Sequence, residues 1–396
     1  MKTVIKNGSV FYKGKFQQLD KMILENGKIL EISIVSANAK KNKPITANKK
    51  SKDEKIETID CSGKYVLPGF IDPHTHLSLE PDGVGHLDSD TNETYGLITP
   101  HIRAYDAIKM RDRAIKDALQ GGVTTAMITP GSANPIGGQC CIVKLIGNTI
   151  DEACINDFCA MKFAFGENPK RVYGGQGKFP STRMGNAATI REWLMKAQDY
   201  KKKKKNKDFK DRDIRLEALL PLIDRKIPAR AHAHQADDIV TAHRIAQEFN
   251  IDIVFDHCTE GHLIAKKLGD WKAKAVVGPS MTTRKKPEVA NKTFETPKIL
   301  MDEGVIVALT TDHPVMPAET LSVSASMAVR YGLDDDRALL AITENPAIIL
   351  GIDKRVGKLE KGYDADVVVW NGHPLDTRSK PEYVFINGEK IVDNMN

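Results

Sequence analysis

Eight short apolar runs punctuate the middle of this 396-residue chain, at 65–72, 123–129, 141–146, 160–165, 228–233, 251–256, 274–278 and 304–311. Each has the length of a strand and is too short for a buried helix. Helical patterns separate most of them, for example over 105–119, 189–197, 237–249 and 321–331. Strands that alternate with helices predict the α/β class and, at eight repeats, a (β/α)8 TIM barrel. Outside the barrel, 3–8 and 21–29 read as short strands, with hairpin signals in the Asn-Gly pairs at 7–8 and 26–27. Segments 366–370 and 383–392 repeat that style at the other end. Neither end holds enough strands to stand alone. The expectation is a small β-sandwich domain from 1–67 plus 355–396, carried on a barrel over 68–354.

A barrel of this type places chemistry at the C-terminal ends of its strands. The first run ends in Pro68-Gly69-Phe70-Ile71-Asp72-Pro73-His74-Thr75-His76. Residues i and i+2 of a strand point the same way, so both imidazoles reach one point beyond it. Imidazole suits zinc and other borderline metals. The plain alternative is two polar residues closing a strand. The fifth run ends in Arg230-Ala231-His232-Ala233-His234, and the sixth in Phe255-Asp256-His257. Taken alone, His257 reads as a core histidine. The eighth ends in Thr310-Thr311-Asp312-His313, directly after an apolar stretch. A bare carboxylate there is costly unless it is paired or bound to a metal. The fourth run, Met161-Lys162-Phe163-Ala164-Phe165-Gly166-Glu167, offers Lys162 and Glu167.

The stretch from Pro68 to His76 resembles the first-strand signature of the amidohydrolase superfamily, the metal-dependent hydrolases. Thr343-Glu344-Asn345-Pro346-Ala347 is similar to that family's segment after the last barrel strand, and Gly357 to Val369 to its return into the small β domain. The three signatures stand in the family's order, and the resemblance covers nearly the whole chain. Imidazolonepropionase-like and prolidase-like members are the most similar subgroup. The resemblance implies His74, His76, His232, His257 and Asp312 as metal ligands, with Asp312 also carrying a proton. It implies either a carbamate on Lys162 that bridges two metals, or Glu167 supplying the bridge, or a single metal that needs neither. His234 binds substrate or exchanges roles with His232.

The implied activity is metal-dependent hydrolysis of a C–N bond in a cyclic or peptide-like amide by a metal-activated hydroxide. The cofactor is one or two divalent ions, zinc first, with iron and manganese as alternatives. The alternatives are a deaminase of cyclic amidines on the same scaffold and a non-catalytic binding protein that keeps the fold. Two loops read as substrate handling. The glycine-rich stretch 129–139 contains Asn134 and Gln139, and the long stretch 80–101 reads as a lid that delivers His101 and Arg103.

Composition excludes other classes. The net charge of +6 is local: 40–57 and 199–213 carry +4 each and leave the other 363 residues at −2. Lys201 to Lys205 therefore reads as a solvated, mobile loop insert, with no aromatic platform for a nucleic acid. No apolar run has the length of a membrane span. Six cysteines without a Cys-x-x-Cys pair read as reduced thiols in a cytoplasmic protein. The expected partner is a small-molecule substrate rather than a nucleic acid or membrane, with homo-oligomerisation left open.

Overall fold

The structure, a computed structural model, describes residues 2–35, 56–83, 86–206 and 209–395. In chain order, β1 (Lys2–Lys6), β2 (Ser9–Tyr12), β3 (Lys15–Glu25), β4 (Lys28–Ile34), β5 (Ile56–Asp60) and β6 (Tyr65–Pro68) come first. The barrel strands are β7 (Phe70–Thr75), β8 (Val123–Ile128), β9 (Ile136–Lys144), β10 (Cys154–Ala164), β11 (Ala229–Ala233), β12 (Ile253–His257), β13 (Lys274–Val277) and β14 (Ile306–Leu309). Then follow β15 (Val367–Trp370), β16 (Pro381–Ile386) and β17 (Glu389–Asp393). The two chain ends do pair: β15 lies antiparallel to β6 on a path of eight strands, with β4 branching from β3 as the ninth. Long β3 is the hub of that path, pairing β2 with its first half and β1 and β4 with its second.

The run expected at 65–72 divides at Gly69. A Cβ there would sit 2.0 Å from Thr124 Oγ1, so the chain crosses from the terminal sheet into the barrel where no side chain fits. Eight strands form the second sheet, in sequence order from β7 to β14. This fits a TIM barrel, with one departure. The third strand begins at Ile136 rather than 141 and runs antiparallel to both β8 and β10. The link from β8 to β9 is too short for a crossover helix, so the chain turns back on itself.

Two other expectations change. The helix expected at 189–197 extends over Arg183–Lys203, so the lysine tract begins as its last turn. Lys201 pairs with Asp224 at 2.5 Å and Lys204 with Glu217 at 2.5 Å, which ties down a segment expected to be mobile. The pattern over 105–119 becomes a helix only at Arg113, where the Asp112 side chain accepts from the Ala114 N–H at 3.1 Å. Lys207, Asp208 and most of the basic insert at 40–57 lie outside the described residues.

Side chains and a bridging segment join β14 to β7. Buried Asp72 accepts from Thr310 Oγ1 at 2.7 Å and from Thr311 Oγ1 at 2.5 Å and N at 3.1 Å. The Ala341 and Ile342 carbonyls accept from Leu309 N and Ile71 N, one on each edge strand. At the far end of β9, Lys144 (1% exposed) reaches Asp364 at 2.7 Å, Asp366 at 3.0 Å and Asn387 Oδ1 at 2.5 Å. This pins the barrel to the segment that leads into β15. Lys144→Met leaves buried Asp366 without its cation, while Asp364 keeps Lys28 and Arg355. It is expected to cost about 3–5 kcal/mol, read by urea unfolding; a loss under about 1 kcal/mol contradicts the pin.

Candidate metal centre

The strand ends bring the chemistry together. His74 leaves β7 fully buried, with Nδ1 2.9 Å from Asp256 Oδ2 and Nε2 turned into the barrel mouth, 3.5 Å from Asp312 Oδ1. Two residues on, His76 Nδ1 sits 2.7 Å from the Thr129 carbonyl, and its Nε2 is also 3.5 Å from Asp312 Oδ1. His257 Nδ1 sits 2.8 Å from the Gly278 carbonyl. A carbonyl only accepts, so the ring nitrogen facing it carries the proton. The other nitrogen of His76 and of His257 is thereby left with a free lone pair, the form a metal requires. The carboxylate at His74 Nδ1 acts in the same sense. His234 Nδ1 is 2.8 Å from Thr259 Oγ1.

Two overlapping groups of ligand atoms result, each with its atoms within 4.8 Å of one another: His74, His257 and Asp312, and His232, His234 and His257. His257 belongs to both. The second group places His234 among the metal-capable atoms, alongside His232 and not beyond it. Lys162 is fully buried, with Nζ 3.2 Å from His74 Nε2. Glu167 does not join them. It opens the helix Glu167–Gly174, its backbone N–H donates to Glu288 Oε2 at 3.1 Å, and its carboxylate is in neither group.

Three expected substrate contacts are engaged elsewhere. Asn134 spends its amide on the Glu93 and Gly96 carbonyls and Thr99 Oγ1, and accepts from the Tyr173 hydroxyl. It fastens the 93–99 loop. Gln139 lies within β9 and donates to the Pro100 carbonyl at 3.2 Å. Arg103 pairs with Asp157 at 3.0 Å, several residues back along β10 from Lys162. His101 and Arg103 line a cavity of about 630 Å³ to which none of the clustered histidines contributes.

Electrostatics favour a cation. Burial, with Lys162 adding to it, pushes His74 down to about 3 and His76 to about 4. Burial first, then neighbouring histidines, holds His232, His234 and His257 well below their usual value. All five rings are neutral at pH 7. Burial raises Asp312 to about 8, and its Oδ1 is buried without a hydrogen-bond partner. Neutral imidazoles beside an orphaned carboxylate oxygen are a donor set that a divalent ion completes. The backbone is also held in unusual form: φ is 67° at His257 and 54° at Asp312, a strain of a kind that clusters at functional sites.

Sequence reasoning missed the supporting residues. Arg230 is fully buried and grips Asp256 through Nε at 3.0 Å and Nη2 at 2.5 Å. It reads as an ordinary strand residue in sequence, and only its burial reveals the role. Asn168 Nδ2 lies 3.3 Å from His232 Nε2 and donates to Ser132 Oγ at 2.7 Å.

The model of the amidohydrolase family matches residues 65–395. The chain belongs to the amidohydrolase family. It is 42% identical to the amidohydrolase from Thermotoga maritima MSB8, with a TM-score of 0.91 and coverage of 99% of this chain and 100% of that one. It is 30% identical over 365 residues to amidohydrolase tasK of Hapsidospora irregularis, spanning 85% of this chain but only 37% of that longer protein. It is 24% identical over 366 residues to an imidazolonepropionase of Thermoplasma acidophilum, covering 85% and 82% of the two chains. This amidohydrolase is an enzyme of the class that acts on carbon–nitrogen bonds, within the imidazolonepropionase-like subgroup. No helix among the described residues is long and apolar enough to cross a membrane.

In the metal-free protein the five neutral rings set a pH dependence. Their folded pKa values lie below the unfolded 6.5, so the unfolded state binds more protons, and stability falls as pH drops from 6.5 toward about 3–4. Asp312, raised to about 8, and Asp72, raised to about 6 by burial, work the other way, two groups against five. Denaturant unfolding of metal-free protein is therefore expected to show lower stability at pH 5.5 than at pH 7.5. Equal or greater stability at pH 5.5 contradicts neutral, buried rings.

Proposed function

We propose that this amidohydrolase is a metal-dependent hydrolase that cleaves the C–N bond of a cyclic or peptide-like amide. The observation that carries the reading is Asp312 Oδ1, orphaned in the interior and equidistant from His74 Nε2 and His76 Nε2 at 3.5 Å. In this reading His74 and Asp312, with His76 Nε2 3.5 Å from Asp312 Oδ1 though outside both ligand groups, would hold one divalent ion, and His232, His234 and His257 would hold a second. Zinc suits the donor set best, with iron and manganese as alternatives. When bound, the cation supplies Lewis acidity, making water ionisable near neutral pH and polarising the substrate carbonyl.

Everything else falls to the chain. Burial favours the acid form of Asp312 in the metal-free protein, so it is with a cation bound that its carboxylate would take the proton of the attacking water and deliver it to the departing nitrogen. Asp256 holds His74 in place from behind. Lys162 Nζ stands 3.2 Å from His74 Nε2, where a protonated ammonium would repel a cation. Burial lowers its pKa. The neutral amine that this favours could add to carbon dioxide and lose a proton, and the resulting carbamate would offer a bound cation a negative charge in place of the ammonium. The barrel of 68–354 carries the reaction, and the strands of 1–67 plus 355–396 form a β-sandwich domain beside it. The substrate is a small molecule.

Two measurements test this. Elemental analysis of purified protein is expected to find at least one divalent metal per chain. Asp312→Asn is expected to lower turnover of any cleaved amide by about a thousandfold or more while most of the metal stays bound. Activity at half the parent level would remove Asp312 from the proton path. Protein without metal, inert toward every amide, would point to a binding protein on this fold.

A further inference from the structure

Beyond the grouped ligands, one carboxylate is left incomplete. Glu288 sits on the single turn Pro287–Val289 in the loop after β13 and is 1% exposed. Its Oε2 accepts the Glu167 N–H at 3.1 Å. Gly166 permits that approach, because a Cβ there would lie 2.8 Å from Glu288 Oε2. Glu288 Oε1 has no hydrogen-bond partner among the described residues. His234 Nε2 and Lys286 Nζ each stand 3.7 Å from Oε1, beyond hydrogen-bond range.

Lys286 has the opposite need. Its side chain is 36% exposed, and Nζ donates to Asn168 Oδ1 at 3.0 Å. An ammonium has three protons to give. An acceptor lacking a donor therefore stands 3.7 Å from a donor with capacity to spare, both beside the histidine cluster. Asn168 touches His232, and Glu288 faces His234. Buried polar groups are normally satisfied, so an exception beside the histidine cluster calls for a ligand that supplies the partner.

We propose that Lys286 and Glu288 are specificity-determining residues that read a substrate edge carrying an N–H donor next to an oxygen acceptor. The substrate N–H donates to Glu288 Oε1, and the adjacent oxygen accepts a hydrogen bond from the Lys286 ammonium. A ring amide presents such an edge, because the ring forces N–H and C=O to the same side. A linear secondary amide is trans and turns them to opposite sides, so it meets one residue and leaves the other unmet. The pair thus selects ring amides over linear, peptide-like ones. This rests on the hydrolase reading above and narrows it.

The test uses the full-length, metal-loaded enzyme with hydantoin, dihydrouracil and 2-pyrrolidinone, their ring N-methyl counterparts, and N-acetyl amino acids as linear amides. The parent enzyme is expected to favour the ring amides, and N-methylation is expected to raise KM roughly tenfold or more. In Glu288→Leu that methylation ratio is expected to fall toward one, with kcat and metal content changing far less than KM. Lys286→Met, at a half-exposed position, raises KM for methylated and unmethylated rings alike and serves if the buried substitution fails to fold. A methylation ratio near one in the parent, or one unchanged in Glu288→Leu, overturns the assignment. Cleavage of linear amides alone overturns it and leaves the hydrolase reading standing, whereas no cleavage of any amide removes the hydrolase reading itself.

Discussion

The carboxylate of Asp256 holds the site together from beneath. It is completely buried; burial alone would raise its pKa, but the Arg230 guanidinium and His74 together hold it well below the carboxylate range. Breaking a buried pair by removing one partner costs about 3–5 kcal/mol, far more than the pair gains over apolar packing. Asp256 therefore makes its best sense as an orienting device. It faces Nδ1 of His74, which turns Nε2 toward Asp312 and Lys162. Arg230 extends the hold by donating to the Pro73 carbonyl at 2.8 Å, just before His74. The strand carrying His232, the strand carrying His257 and the strand end carrying His74 are thus locked to one another below the cluster.

A second constraint closes the ring. Asp72 receives the hydroxyls of Thr310 and Thr311, and the same Thr310 hydroxyl contacts the His74 carbonyl at 2.6 Å. Asp312 follows at once, with its N–H on Thr310 Oγ1 at 3.1 Å and its backbone in the left-handed region. Closure of the barrel and placement of the carboxylate are therefore one arrangement. A change that loosens β14 against β7 displaces Asp312 from His74 and His76, so stability and site geometry are coupled at this seam.

Much of this was legible in the sequence because strand ends carry a simple rule. His74 and His76, His232, His257 and Asp312 each close an apolar run, and the structure brings them to the same end of one sheet. Other features had no such signal. The reversal of β9 leaves no mark in the buried run Ile136–Lys144, and its direction is set by the length of the loop before it. Asn134 and Gln139 looked free to meet a ligand, yet their amides satisfy backbone carbonyls of neighbouring loops. Arg103 found a partner in Asp157, which only the β9–β10 pairing brings near. Glu288 sits on an irregular loop with no periodicity to mark it. Arg230 and Asp256 were visible only as polar interruptions in strands, and their pairing depends on β11 lying beside β12.

The proposed hydrolase depends on convergence: imidazoles from separate strands and one aspartate would share a cation. Crystals of the native protein, measured on either side of the absorption edge of the metal it carries, place that ion directly. The predicted result is an anomalous peak in contact with His74, His76 and Asp312, with any second peak beside His232 and His257. A peak confined to other residues, or no peak among these side chains in crystals of protein shown to contain metal, would contradict it.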